Sequence, residues 1–507
     1  MKATRWISLM LALVFCLGVL ASCGKGEEGN NGGGGERGEN GSWDSVDFGG
    51  QKVKIAISAH QSPECNFPAA DIYTKGPDTA GSNEVAKEVL ARNSRAASDL
   101  GVTIEYTLKN LYYDGAIDDV RAIVQTAATT SPDIYNNDNA SLTYSMVDGL
   151  LWNVKNPGDD VVNYFNFEAE GWYTEYIKGC TFNQDKYYLF AGDYFIDMIR
   201  MAWVIYVNND LLAENIKKMP NWCKDADTFY DYVMDGFWDM DVLAEMSSAI
   251  FTDGAGGTSG VTEKTDDIVG FAYNGNSNWA FSAASGINIY YQDKDNNYKP
   301  CVIDSIVDYQ KVSDKFKNLT DSKGVYWQQE IKSSTECFLQ GNFLFAISRL
   351  GEMESTALRD FDAEKGLVPV PKWDADIQEE YYTIIHDQVE IGCILNSAKA
   401  FSAASALMQY LNEESKQVVY TYYEKGLKYK YNDDENARNM MDLIRERTDS
   451  PFGFQIGDHC EELYTGVGTL TRIYITQNST LSSTFASQKD AYKDCMQKMI
   501  DKFAALK

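Results

Sequence analysis

The sequence predicts an α/β protein with two lobes. Strand-like and helix-like segments alternate from residue 53 onward, and this order is typical of parallel sheets covered by helices. The chain has 507 residues, so the part behind its N-terminal segments is long enough for two large domains. We find no tandem repeat of fixed period, which argues against a repeat architecture.

The first unit has the order β-α-β-α-β. Alternating apolar residues in VKIAIS (53–58) and VTIEYTL (102–108) predict two strands, and SPDIYNNDN (131–139) predicts a short third one. Apolar residues at helical spacing predict helices over 82–101 and 116–130 between them. A parallel sheet with helices on its faces follows from this order.

The remainder of the chain shows the same alternation. Strands are predicted over 187–193, 201–209, 268–273, 342–348 and 366–371, and helices over 225–245, 304–319 and 398–415. MAWVIYVNN (201–209) is nearly continuously apolar, which indicates a strand buried on both faces.

The N-terminus reads as an export signal. Lys2 and Arg5 precede an apolar stretch that is short for a membrane span, and LASC ending at Cys23 resembles a bacterial lipobox. The alternative is an ordinary signal peptide with a chance cysteine. We expect a signal peptide over 1–22, a lipid on Cys23, and a location on the extracellular face of the cell membrane. The Gly/Asn/Glu-rich composition predicts a flexible linker over 23–50.

The net charge excludes some classes of binding partner, whereas the cysteine content leaves the disulfide pairing open. The net charge of −29 argues against nucleic acid and against an anionic membrane surface, so membrane contact is expected through the lipid only. Eight cysteines remain beyond Cys16 and Cys23. They can pair in 105 ways or stay free in the core, and the sequence leaves both alternatives open.

An ordered set of segments resembles a known family. YYLFAGD, VIYVNNDLL, FLQGNFLFAIS, KGLVPVPKWD and IGCILNSAKAFSAASALMQYL, behind the lipobox, are similar to the extracellular solute-binding proteins (family 1, sugar-binding type) of bacterial ABC importers. The resemblance implies a two-lobed periplasmic-binding-protein-like (type II) fold with a hinge and an interlobe cleft. Lobe 1 would comprise 53–192 plus 371–425, and lobe 2 would comprise 193–370 plus 426–507.

The same resemblance implies function. The protein would capture a small solute, most plausibly a mono- or oligosaccharide, by lobe closure and deliver it to the permease subunits of an ABC importer. Sugars require planar polar side chains for their hydroxyls and aromatic faces for their rings, so we look for both at predicted strand ends. The candidate ligand-binding residues are His60, Asn136, Asn137, Asp138, Asp193, Tyr194, Asn276, Asn278, Trp279, Arg349, Glu352 and His386.

Each candidate has a structural alternative. The asparagine-rich run after the third strand is also typical of a turn, and Trp279 alone is more often a core residue. Arg349 and Glu352 could form a surface salt bridge of little consequence, and a lone histidine is usually structural or solvated.

No catalytic motif is recognised. With 74 acidic residues, pairs such as Asp159-Asp160 arise by chance, and Gly-x-Ser-x-Gly, His-Glu-x-x-His, P-loop and EF-hand patterns are missing from the sequence. We therefore expect a non-enzyme with no catalytic residue, no cofactor and no metal. The alternatives are a secreted carbohydrate-active enzyme, which needs two carboxylates at a defined separation, and a ligand-sensing lipoprotein.

Overall fold

The computed structural model describes most of the chain. The described residues are 34–38, 41–58, 70–78, 81, 83–109, 111, 114–254, 267–275, 277–328, 334–429, 435–449, 452 and 481–506. The predicted signal peptide, Cys23, His60 and Asn276 lie outside these ranges.

The first sheet has four strands in the order β12-β3-β1-β2. Its strands are β1 (Gln51–Ser58), β2 (Val102–Lys109), β3 (Ile134–Asp138) and β12 (Glu390–Ile394). β1 pairs in parallel with β2 and β3, and β12 adds an antiparallel edge. The predicted β-α-β-α-β unit is therefore confirmed.

The second sheet has five strands in the order β10-β4-β9-β5-β8. They are β4 (Trp203–Asn208), β5 (Val269–Asn274), β8 (Val325–Gln328), β9 (Phe343–Arg349) and β10 (Lys365–Pro369). β4, β5 and β9 are buried along their whole length, as their apolar sequences predict. Two small sheets join β6 (Tyr290–Asp293) to β7 (Lys299–Val302) and β11 (Thr383–Ile384) to β13 (Thr448–Asp449).

Helices cover both sheets. In chain order they are α1 (Glu84–Asp99), α2 (Asp114–Thr126), α3 (Asn139–Val147), α4 (Thr174–Gly179), α5 (Asp197–Arg200), α6 (Asn209–Glu214), α7 (Ala226–Met234), α8 (Met240–Ile250), α9 (Asn278–Ala284), α10 (Val307–Asp321), α11 (Ser334–Phe338), α12 (Thr356–Arg359), α13 (Phe401–Glu413), α14 (Lys416–Val419), α15 (Glu435–Glu446) and α16 (Leu481–Ala505). Short 3₁₀ segments occur at Ile216–Lys218, Lys294–Asn296 and Leu350–Glu354, and π-helical turns at Ala70–Thr74 and Tyr420–Lys428. No helix among these is both long and apolar enough to cross a bilayer.

Two predicted elements differ from the structure. The helix expected over 225–245 is two helices, α7 and α8, because Asp239 caps the second one by accepting from the Val242 N–H at 2.9 Å. The strand expected over 187–193 makes only two isolated bridges in the described chain, Phe190 with Gly392 and Gly192 with Trp172.

The boundary of lobe 1 also differs from the prediction. Residues 371–385 pack with the second sheet: the Lys372 N–H donates to the Trp238 carbonyl, and the Tyr381 hydroxyl donates to the Val233 carbonyl at 2.7 Å. Chain pairing with the first sheet resumes at Glu390, not at residue 371.

The end of the predicted linker is folded. We call residues 34–38 and 41–50 the N-terminal strap. Arg37 forms a two-pronged ion pair with Glu413 of α13, at 3.0 and 3.1 Å, and the Trp43 indole N–H donates to the same carboxylate at 2.9 Å. The prediction of a flexible linker as far as residue 50 is therefore wrong for the strap, whose aromatic and arginine residues give it a docking site.

The C-terminal helix α16 touches both halves of the molecule. Tyr492 contacts Tyr290 of β6, whereas Phe503 packs against Phe182 and Tyr188, which come after β3 in the chain.

Cysteines occur in both states that the sequence left open, disulfide-bonded and free. Cys495 of α16 is disulfide-bonded, whereas Cys223, Cys301 and Cys393 are free thiols.

Candidate functional site

The two sheets bring polar strand ends to one junction. In the first sheet Asp138, the last residue of β3, lies opposite Glu390, the first residue of β12. In the second sheet Trp203, the first residue of β4, lies opposite Arg349, the last residue of β9. Because β9 and β5 run in parallel, the carboxyl end of β5 reaches the same edge. Ligands of open α/β sheets bind outside such edges.

A crossing segment connects these two edges. Its first residue, Ile385, pairs with Ala202 directly before β4, and the His386 N–H donates to the Met201 carbonyl at 2.9 Å. Its far end binds the start of α3, where the Asn139 N–H donates to the Val389 carbonyl at 3.1 Å. His386 and Asp387 therefore lie between the lobes.

Three rings meet at this crossing. The His386 imidazole stacks on the Trp203 indole, with ring centroids 5.3 Å apart and planes inclined by 26°. Trp279 of α9 meets both rings edge-on, at 5.8 Å from His386 and 6.0 Å from Trp203. We call these three residues the aromatic cluster. The predicted candidates Trp279 and His386, 107 positions apart in the numbering, are thus in contact.

Arg349 and Glu352 flank the aromatic cluster. The Arg349 guanidinium carbon lies 5.7 Å from the Trp203 ring, and its Nη2 is 3.0 Å from the Glu352 Oε1. Both side chains are buried, so the surface salt bridge considered from sequence is a buried ion pair. Burial raises the pKa of Glu352, and the Arg349 charge opposes that rise.

Several buried polar atoms on residues of the aromatic cluster and of the adjoining strand and helix ends have no hydrogen-bond partner within the described chain. They are the Trp203 Nε1, the His386 Nε2, the Asn278 Oδ1 and both amide atoms of Asn137. An unmet buried polar group costs about 1–3 kcal/mol, and such groups are rare in folded proteins. Unpartnered atoms of this kind also occur elsewhere in the described chain, as at Ser145 and Trp327, but those named here belong to residues beside the polar strand ends of both sheets.

The run Asn136–Asp138 has a divided role. Asp138 caps α3 by accepting from the Ser141 N–H at 2.7 Å and the Ser141 hydroxyl at 2.9 Å, so the turn-like composition has a structural cause. Burial raises the pKa of Asp138 to about 6, and the charge of Asp387 adds to the rise. Asn137 and Asn136 are buried beside it.

A second polar cluster, the Glu354 network, adjoins the first. Glu354 follows β9 on the 3₁₀ turn of the second lobe, and its carboxylate accepts from the Tyr73 hydroxyl at 2.7 Å and the Tyr422 hydroxyl at 2.5 Å. Arg200 of the first crossing donates to it at 2.8 Å and to Asp197 at 2.6 Å. Through the Glu354 carboxylate, these contacts connect the second lobe to the two π-helical turns on the side of the first sheet.

Glu390 lies beside this network and is fully buried. Thr74 donates to its Oε2 at 2.9 Å. Burial raises the pKa of Glu390 to about 8, and the neighbouring Asp197 carboxylate adds to the rise. At neutral pH this carboxyl group is therefore largely protonated.

The structure separates two candidates from the aromatic cluster. Tyr194 is buried under the Arg92 guanidinium, 4.6 Å from its ring. Burial raises the pKa of Asp193 to about 6. The charge of Arg445 opposes this rise, and the charge of Glu170 adds to it. The use of both residues as ligand contacts remains a prediction.

Sequence reasoning missed Trp203, Asp387 and the Glu354 network. Trp203 stands at the start of a segment so apolar that all of it reads as core. Tyr73 and Glu354 are 281 positions apart, and no local pattern links them.

Comparison with solved structures identifies the fold. The GacH receptor of Streptomyces glaucescens, solved unliganded and with acarbose, superposes with a TM-score of 0.52 at 12% identity over 88% of this chain and 99% of its own. A family 1 extracellular solute-binding protein from Bifidobacterium longum subsp. infantis gives 0.52 at 15% identity over 90% of this chain and all of its own. The cyclic alpha-maltosyl-1,6-maltose binding protein of Arthrobacter globiformis gives 0.54 at 13% identity, over 90% and 99%.

At these identities the likeness establishes the architecture, so the predicted two-lobed α/β fold is confirmed. A scan of protein-family models finds no match to the sequence, and a comparison with curated proteins finds none either.

Proposed function

We propose that this protein is a non-catalytic solute receptor that binds a carbohydrate at the junction between its lobes and serves an ABC importer. One observation carries the proposal: residues of the aromatic cluster and of the adjoining strand and helix ends carry unpartnered polar atoms at the place where the two sheet edges face each other.

The chemistry of these atoms suits hydroxyl groups. The Trp203 Nε1 is a donor, the Asn278 Oδ1 is an acceptor, and the Asn137 amide offers both. A sugar hydroxyl both donates and accepts hydrogen bonds, so a few adjacent hydroxyls can satisfy a site that contains donors as well as acceptors. The rings of Trp203 and Trp279 supply apolar surface next to these atoms, as small-molecule sites commonly do.

The fold supports the same function. Two lobes joined by crossing segments can close around a solute by a hinge motion and exclude water from it. Solved proteins of this fold include the receptor crystallised with acarbose and the maltosyl-maltose binding protein. We extend sugar binding to this chain on the basis of its own junction residues.

A thermal-shift screen tests sugar capture. The purified mature protein is heated with a panel of neutral oligosaccharides, and a ligand of the folded state raises the melting temperature by mass action. We expect at least one compound to raise it, and we expect chromatography to recover that compound unchanged after long incubation. Hydrolysis of the bound glycoside would favour the enzyme alternative instead.

The anchoring proposal needs a separate experiment. We propose that Cys23 carries the lipid and that the body lies outside the cell, tethered to its membrane, because the lipobox-like LASC directly precedes a tract without apolar periodicity. In cells, the wild type should sediment with membranes, whereas Cys23→Ser should be released or remain unprocessed. Equal membrane association of both forms would contradict lipidation of Cys23, and the sugar-binding proposal would be unaffected by that result.

The importer proposal has a genetic test. Deletion of the permease subunits of the importer should abolish uptake of the identified sugar. A ligand response that persists without them would favour the sensor alternative.

A further inference from the structure

The charged groups at the junction define the class of solute more narrowly. We infer that the site accepts uncharged carbohydrates and rejects carboxylated or phosphorylated ones. This inference rests on the proposed function and adds charge selection to it.

The first reason is that Arg349, next to the aromatic cluster, already has an anionic partner. Its guanidinium binds the Glu352 carboxylate at 3.0 Å, and both side chains are buried. An acidic sugar would need a guanidinium or ammonium group as its counter-ion. Competition with a buried, preformed partner removes that possibility for Arg349.

The neighbouring guanidinium groups in the described chain are engaged as well. Arg200 is held by Asp197 at 2.6 Å and by Glu354 at 2.8 Å. Arg92 donates to the Ser415 hydroxyl and to the Thr74 carbonyl. These groups act within the protein, so they are not placed to receive an anion.

The second reason is a surplus of carboxyl groups. Asp138 and Asp387 lie along the same junction, and Asp387 contacts the His386 Nδ1 at 2.7 Å. An anionic solute would be brought close to these groups in a water-poor site, where like-charge repulsion is stronger than in solution. The net charge of −29 repels anions from the whole molecule too.

The third reason is the chemistry of the unpartnered atoms. Those on Asn137, Trp203, Asn278 and His386 belong to amide, indole and imidazole groups, which match hydroxyls.

The experiment uses matched probes. Neutral oligosaccharides and uronic-acid-containing oligosaccharides of the same length and linkage are compared by calorimetry with the wild-type mature protein, and sugar phosphates form a third arm. We expect the neutral member of the responding pair to bind at least 100-fold more tightly than its anionic counterpart. Equal or tighter binding of the anionic member would overturn charge selection alone. Failure of every carbohydrate would overturn the proposed function and, with it, this inference.

A variant tests the cause of the selectivity. Glu352→Gln leaves Arg349 without its counter-ion and should improve binding of the anionic member at least tenfold relative to wild type. Glu380→Gln is the control, because Glu380 pairs with Arg447 on the surface, and it should leave the selectivity unchanged. An unchanged selectivity in folded Glu352→Gln would contradict the role of this ion pair. Should that variant fail to fold, the wild-type comparison decides the inference by itself.

Discussion

The imidazole of His386 lies face to face with the indole of Trp203, although one belongs to the crossing segment and the other begins a strand of the second lobe. This contact makes the crossing part of the candidate site. Any rotation of the lobes about the crossing segment would change the surroundings of both rings, so a solute bound against them, as we propose, would be coupled to the position of the lobes.

The Trp203 indole N–H provides the first prediction. Trp203→Phe retains a ring for His386 but removes the Nε1, which has no hydrogen-bond partner within the described chain. We expect about tenfold weaker binding of the identified sugar, which corresponds to about 1.4 kcal/mol, with little loss of stability. Calorimetry measures the affinity, and Trp222→Phe, in a stack with Tyr232 outside the site, is the matched control. Unchanged affinity in Trp203→Phe would exclude the indole N–H as a sugar contact.

The Glu354 network provides the second prediction. Glu354→Ala removes the acceptor that Tyr73, Tyr422 and Arg200 share, so the free energy of unfolding should fall by about 3 kcal/mol. Glu354→Gln keeps one acceptor oxygen and should lose less. Chemical denaturation measures both.

A surface glutamate is the control for that experiment. Glu414→Ala breaks an exposed pair with Arg95 and should change the stability by less than about 1 kcal/mol. Equal losses at positions 354 and 414 would show that the network contributes nothing beyond an ordinary surface pair.

Glu390 provides a prediction about pH. Its pKa is about 8 in the folded protein against an ordinary value near 4.5, so between these pH values the folded state holds a proton that the unfolded chain has released. The folded state then binds more protons, and its stability must fall as the pH rises through this window, by at most about 1.4 kcal/mol per pH unit.

Substitution isolates that contribution. Glu390→Gln cannot ionise, so the loss of stability between pH 5 and pH 7.5 should be smaller than in the wild type. Part of the loss should remain, because the pKa values of Asp138 and Asp193 are also raised, to about 6. Denaturation curves at the two pH values give the comparison, and identical slopes for both proteins would refute the assignment to Glu390.

Trp43 tests the N-terminal strap. Its ring packs against Tyr410 and Tyr164 at 5.7 and 5.9 Å, and Arg37 covers it at 4.0 Å. Trp43→Ala should cost about 2 kcal/mol of stability and expose the strap to proteolysis. Phe237→Ala, at a half-exposed ring on the second lobe, should do neither. An uncut strap in Trp43→Ala would show that the ring is dispensable for docking.

Local sequence patterns predicted the elements of the fold well. Alternation identified β1 and β2, and helical spacing identified α1, α2 and α10, because those periods arise from one face turned toward the core. The lobe boundary at residue 371 came from the family resemblance, and it misplaced residues 371–385 because the lobe that an irregular segment joins depends on partners distant in sequence, such as Trp238.

The candidate site was only partly visible from sequence. Trp279 and His386 stood out as polar or aromatic residues near strand ends, and they do touch. Trp203 could not be distinguished, since a tryptophan in a continuously apolar strand looks the same whether its indole N–H faces core or ligand. The shared acceptor Glu354 depends on three segments that only the folded chain brings together.

The docked N-terminal strap limits how far the folded body can lie from the membrane. With Cys23 held at the membrane, eleven residues lead to Gly34, and a fully extended chain of that length spans at most about 40 Å. A compact body of this size has a radius of gyration of about 23 Å, so the extended segment between Cys23 and Gly34 is shorter than the diameter of the body. If Cys23 carries a lipid, as we propose, the α13 surface that carries Glu413 would stay within a few tens of ångströms of the membrane, and the orientations open to the receptor would be limited.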